Sequence, residues 1–256
     1  MQRKVARISE ALTETIARWE TAEAVVLGEF AEVKLLDPYF TISLDVCYTA
    51  SLPPRNDRRE QFGGPRSFDT VPGFTEDRFL IEELPVRIRY QETTRIELLL
   101  KRIADGQWVF HESGTYPFYR LAYGQVLLQR TSWLETVRGT LASLPEHYWQ
   151  MLRDGARIAT SYYLNDLRAA AHRSDSLFGL FSMSRFLQNL CSFLFAVNHS
   201  FEPSPRMMTE KVLSLPRLPD GFQGRFESLL REGPDLSTDR KAEIAELLTK
   251  SILSMT

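Results

Sequence analysis

The sequence predicts an α+β chain: a small mixed-sheet domain over residues 1–140, followed by an all-α helical bundle over residues 141–256. Three observations predict it. The runs that read as strands fall in the first half. Helical patterns take over near Ser143 and hold to the end. The composition, 43% apolar and 25% charged, is that of an ordinary globular protein, and at roughly 150 residues per domain the length leaves room for two.

The elements follow in order. Val5, Ile8, Leu12, Ile16 and Trp19 recur at steps of three and four, the mark of an amphipathic helix. Ala24 to Gly28 is a short apolar run ending in glycine, a strand and a tight turn. Beyond Asp37-Pro38, Tyr39 to Tyr48 reads as a second strand. Residues 53–76 read as a long loop, punctuated by Pro53-Pro54, Gly63-Gly64-Pro65 and Pro72-Gly73. Phe79–Ile81 and Val86–Tyr90 read as strands around Pro85, with Arg87 and Arg89 on a wet face. Thr94 to Ala104 reads as a helix, and Gly124 to Leu128 as a small strand.

In the second half, Ser143-Leu144-Pro145-Glu146 reads as a helix start, with Ser143 as N-cap and Glu146 three residues on. One long helix is predicted from His147 to His172 and a second, apolar on nearly all sides and hence central, from Leu177 to Val197. Its Phe178, Phe181, Phe193 and Phe195 are expected in the bundle core. Two shorter helices follow near Gly221–Arg231 and Thr238–Ser254.

Composition excludes several classes. Lys and Arg number 31 against 33 Asp and Glu, a net charge of −2, which argues against a nucleic-acid coat. Two cysteines, Cys47 and Cys191, are too few for a disulfide framework and read as inert core thiols, so a cytoplasmic setting is expected. The charged segment Met1 to Glu20 lacks the pattern of a signal peptide, and no stretch is expected to serve as a membrane helix. His111, His147, His172 and His199 show no metal-ligand spacing.

The informative segment is Val25-Val26-Leu27-Gly28-Glu29-Phe30-Ala31-Glu32, then Leu36-Asp37-Pro38-Tyr39, then Ile42-Ser43-Leu44-Asp45-Val46. It resembles the signature of the DNA polymerase β-like nucleotidyltransferase superfamily: a strand ending in Gly-Ser, a turn, a strand carrying Asp-x-Asp, and a third carboxylate on a later strand. The runs Phe193 to Pro203 and Leu213 to Pro219 resemble the C-terminal bundle of kanamycin nucleotidyltransferase-like proteins. Together the resemblance covers most of the chain.

The resemblance implies a site in which carboxylates hold two magnesium ions across a triphosphate and an attacking hydroxyl. Asp-x-Asp on a strand puts both acids on one face, and the Gly-Ser turn holds phosphate through N–H groups and a hydroxyl. This sequence departs three times. The serine after Gly28 is Glu29, the first acid is Ser43 with only Asp45 kept, and the third acid falls on Arg87. The resemblance therefore implies a degenerate, catalytically inactive metal site with a ligand- or partner-binding role and no cofactor. The alternative is an active enzyme that transfers a nucleotidyl group to a small molecule or a protein hydroxyl. It would hold magnesium with Asp45 and Glu82 or Glu83, or with Asp37 moved inward.

Each residue also has a plainer reading. Asp45 is a metal ligand or a strand charge paired with an arginine. Glu29 is a solvated turn residue, and Ser43 a plain strand residue. Arg87 and Arg89 are a solvated face or the grip on an anionic ligand such as a nucleotide. Arg55, Arg58, Arg59 and Arg66 are phosphate binders or, interleaved with Asp57, Glu60 and Asp69, part of a solvated loop. Tyr162, Tyr163 and Asn165 are candidates for lining an acceptor cleft. A protein partner or a second copy, held through the helical half, is the third expectation.

Overall fold

The computed structural model describes residues 2–28, 40–71, 73, 75–107, 114–231, 233 and 237–255. The chain is an α+β protein that divides into two compact units, residues 1–109 with 117–144, and residues 110–116 with 145–256.

The first unit is built on a six-stranded mixed sheet ordered β3-β4-β5-β2-β1-β6. The strands are β1 (Ala22–Leu27), β2 (Ile42–Tyr48), β3 (Arg66–Thr70), β4 (Glu76–Ile81), β5 (Leu84–Glu92) and β6 (Gln125–Gln129). Only β2 and β5 run parallel. Side chains alternate across a sheet. Ile42, Leu44 and Val46 of β2 and Val86, Ile88 and Tyr90 of β5 enter one apolar core, shared with Val5, Ile8, Leu12 and Ile16 of helix α1 (Gln2–Ile16). The intervening residues Ser43 and Asp45, Arg87 and Arg89 therefore lie on the opposite, polar face.

The segment read as a loop carries regular elements. It holds helix α2 (Arg55–Gln61) and strand β3. What hydrophobic pattern misses is an ion pair: Arg58 is 1% exposed, and its Nε and Nη2 donate to the two oxygens of buried Asp77 at 2.7 and 2.9 Å. The Tyr90 and Thr70 hydroxyls also donate to Asp77, each at 2.7 Å. Burial pushes the Arg58 guanidinium down, and the bond to Asp77 more than restores it. Phe62 and Phe68 stack on Phe79 beside it. Of the loop arginines, Arg58 is thus a core residue.

Helix α3 (Thr93–Ala104) follows β5 directly. Two short helices were not foreseen: α4 (Tyr116–Tyr123) and α5 (Trp133–Ala142) flank β6. Ser143 is not an N-cap. It ends α5, its hydroxyl donating to the Gly139 carbonyl at 2.9 Å, and α6 (Glu146–His172) starts after Pro145 without a side-chain cap.

The second unit comprises α6, α7 (Ser176–Val197), α8 (Met208–Leu213), α9 (Phe222–Leu230) and α10 (Thr238–Leu253). Asp175 caps α7, accepting from the Phe178 amide at 3.0 Å. Phe186, Leu190, Phe193 and Phe195 enter a core shared with Leu164, Leu167, Phe226 and Leu248. The first turns of α7 differ from expectation: Leu177, Leu180 and Phe181 are exposed and Phe178 is half-buried. By length and composition α7 is, after all, long and apolar enough to cross a membrane, with a mean hydropathy of 1.3 and half of that stretch buried. Asn198 ties its end to the following loop, accepting from the Arg217 amide and donating to the Arg217 carbonyl, both at 2.9 Å.

Candidate functional site

The polar sheet face collects the expected residues around Asp45. In the parallel ladder Ser43 stands opposite Arg87 and Asp45 opposite Arg89. Gly28 leaves β1 beside them, its amide donating to the Ser43 carbonyl at 2.9 Å. Gly28, Ser43, Asp45, Arg87 and Arg89 are thus neighbours. Glu29 and Asp37 lie outside the described residues.

Two further residues complete the site, and the sequence reading missed both. Arg120 of α4 is 2% exposed and sets its guanidinium on Asp45, which is fully buried. Its Nε donates to Asp45 Oδ2 and its Nη1 to the Ser43 hydroxyl at 2.9 Å. Gln91 donates to the other Asp45 oxygen at 3.3 Å.

The local sequence explains why Arg120 arrives there. Gly124 ends α4 against β1, and a Cβ at this position would fall 2.5 Å from the Arg120 carbonyl oxygen and closer still to Val26 Cγ1. Only glycine permits that approach. Arg138 of α5 donates to the carbonyls of Leu121 and Gly124 at 2.8 and 2.6 Å, fixing the open end of α4.

Beyond Arg89 the polar face continues to Glu76 of β4. Arg78 Nε lies 2.5 Å from Glu76 Oε1, and Arg87 and Arg89 Nε lie 2.6 and 3.3 Å from Oε2. Burial pushes the Glu76 carboxyl up, but Arg78 and Arg87 hold it below the usual range. Burial pushes the Arg89 guanidinium down, and the charges of Arg120 and Arg87 push it the same way. This face carries more positive charge than its two carboxylates neutralise.

Glu82 and Glu83 are not brought to Asp45. They form the tight turn between β4 and β5, both at positive φ, and Ile81 pairs with Leu84 across it. Glu82 accepts from Arg7 at 2.7 Å and lies 3.7 Å from Lys4. At about 3.3 Å per residue, Glu83 sits roughly 20 Å along β5 from Arg89, the residue opposite Asp45. The remaining candidates belong to the second unit. Tyr162 and Asn165 are exposed on α6, while Tyr163 packs on the bundle core with its ring edge-on to Tyr162.

Magnesium asks for several oxygen ligands at one point. Beside Gly28 the described donors are one carboxylate, already taken by a guanidinium, and one hydroxyl. Among the described residues no three His, Cys, Asp or Glu side chains gather as a metal would require. The described donors alone do not make up a two-magnesium site.

No protein-family model matches the chain. No curated protein matches it. Among solved structures it is similar to a nucleotidyltransferase-like protein from Exiguobacterium sibiricum, at 13% identity and a TM-score of 0.48, over 96% of this chain and 74% of that one.

The helical unit holds a buried carboxyl of its own, which the sequence reading does not single out. Glu202 is 9% exposed, its amide donates to the Thr115 hydroxyl at 2.8 Å, and Gly114 leaves no room for a Cβ beside its carboxyl. Burial pushes this carboxyl up to about 7, the Ser192 hydroxyl opposing. Burial also raises Tyr148 and Cys191, the Glu202 charge adding to it. Cys47 and Cys191 are free, buried thiols held protonated by burial. They therefore lack the thiolate character of reactive cysteines.

Proposed function

We propose that this chain is a nucleotidyltransferase-superfamily protein that has lost metal-dependent transfer and binds a ligand at the inherited sheet face. One observation carries the reading: the Arg120 guanidinium is set on the Asp45 carboxylate, the one acid of the motif that is kept. A fixed positive charge there repels a metal ion and attracts an anion. Arg87 and Arg89, opposite Ser43 and Asp45, add to the same field. A deleted acid alone would leave a weak metal site, whereas an arginine in contact with the remaining acid replaces the cation.

The experiment is calorimetric titration with ATP, GTP, CTP and UTP, each with and without magnesium, alongside an assay for pyrophosphate release. Any binding is expected to be indifferent to magnesium, with no pyrophosphate released. Micromolar binding that requires magnesium, or release of pyrophosphate, would overturn the reading and direct attention to an acceptor hydroxyl.

A further inference from the structure

Glu76 meets three guanidinium groups with a single negative charge. Arg78 and Arg89 direct Nε at its two oxygens, and Arg87 Nε lies 2.6 Å from one of them. Arg78 and Arg87 also stand directly opposite each other in the antiparallel β4–β5 ladder. Like charges in that position destabilise a sheet unless something neutralises them. A guanidinium has five N–H donors; Arg78 donates its Nε to Glu76 Oε1, while Arg87 sets its Nε 2.6 Å from Oε2 without closing a hydrogen bond. Each guanidinium keeps N–H groups beyond the one nearest Glu76, on its terminal Nη atoms.

Those groups border an open cleft of about 460 Å³, whose lining includes Thr41, Ser67, Arg78, Leu80, Pro85 and Arg87. It lies at the end of the polar face where β2 and β5 begin. The side chains of Arg78 and Arg87 are 58% and 34% exposed, so their donors reach solvent. The volume falls within the range of small-molecule sites, roughly 300–1,000 Å³, and exceeds what a bare phosphate fills.

We propose that this cleft binds the phosphate ester of a small organic molecule, the phosphoryl group held by the Nη groups of Arg78 and Arg87 with the Thr41 and Ser67 hydroxyls, and the organic body lying against Leu80 and Pro85. The inference rests on the reading of the chain as a ligand-binding protein. Phosphate is favoured over carboxylate by charge: three arginines around one glutamate leave a surplus of two, which a dianion cancels and a monoanion does not. Guanidinium groups also match phosphoryl oxygens through paired N–H donors.

The test titrates the full chain, in the presence of EDTA, with phenyl phosphate, inorganic phosphate and benzoate. Phenyl phosphate is expected to bind more tightly than either of the others. Arg78→Met and Arg87→Met should each weaken it about tenfold or more, the loss of a charge-assisted hydrogen bond. Thr41→Val should weaken it a few-fold, while Arg3→Met, at an exposed position on α1, should leave it unchanged. Near-ultraviolet circular dichroism checks that each variant is folded, and the well-exposed Arg78 keeps the test available if Arg87→Met misfolds. Absence of phenyl phosphate binding at millimolar concentration, binding no tighter than benzoate, or equal affinity in wild type, Arg78→Met and Arg87→Met would each overturn the proposal. A parallel titration with magnesium separates it from the reading beneath it. Magnesium-dependent nucleotide binding abolished by Asp45→Asn overturns the non-catalytic reading, while the EDTA titration alone decides the cleft.

Discussion

Arg120 closes on Asp45 across the polar face of the sheet, with neither side chain more than 2% exposed. A buried pair of this kind is costly to break, because the surviving charge is left without water or partner. Arg120→Ala should therefore destabilise the protein by about 3–5 kcal/mol. Replacing both members, Asp45→Leu with Arg120→Met, should cost less than the single change, since no charge is stranded. Urea denaturation of the three chains measures this. An Arg120→Ala midpoint equal to wild type would mean that Asp45 is not desolvated.

Gly124 sets the height of α4 above β1, so Gly124→Ala should act through steric conflict. The added methyl meets the Arg120 carbonyl and Val26 Cγ1 inside contact distance. Overpacking of this kind costs about 1–3 kcal/mol. Adding Val26→Ala should recover only part of the loss, because the carbonyl conflict stays. Full recovery in thermal or urea unfolding would contradict the geometry.

Legibility in the sequence followed the range of the interactions involved. β1, β2, β5, α6 and α7 were readable because their apolar runs and repeats are local. Gly28, Ser43 and Asp45 were readable because the motif that groups them spans one hairpin. Arg120 was not, since it meets Asp45 from 75 residues away along the chain. Helix α2 was not, since its seven residues, RNDRREQ, bury only an arginine. A pattern of hydrophobic residues contains no trace of either ion pair. Ser143 misled because the same hydroxyl serves a helix end as readily as a helix start.

The Arg58–Asp77 pair makes a graded prediction. Tyr90→Phe removes one of several donors to Asp77 and should cost about 1–2 kcal/mol. Arg58→Met removes two bonds to Asp77 and one to the Pro53 carbonyl and strands a carboxylate, and should cost about 3–5 kcal/mol. The Arg58 guanidinium also lies 4.9 Å from the Tyr90 ring centre, so the two changes should not add. Unfolding free energies of the singles and the double test the order. A larger loss for Tyr90→Phe than for Arg58→Met would place the organising charge elsewhere.

Glu202 supplies a pH dependence whose sign is fixed by its environment. Burial raises the carboxyl from its ordinary value of 4.5 to about 7 in the folded chain. The protonated form is the one the fold prefers. Its stabilising contribution is complete below about pH 4.5, declines as pH rises through about 7, and is absent above that. The displacement corresponds to about 3 kcal/mol across the window. Glu202→Gln stays neutral throughout, so the stability of this variant relative to wild type should rise by about that amount between mildly acidic and mildly alkaline pH. Urea unfolding of both chains across that range gives the difference directly and cancels the titration of every other group. A difference independent of pH would show that Glu202 is charged in the folded protein throughout, and that the Gly114 contact encloses a solvated carboxylate.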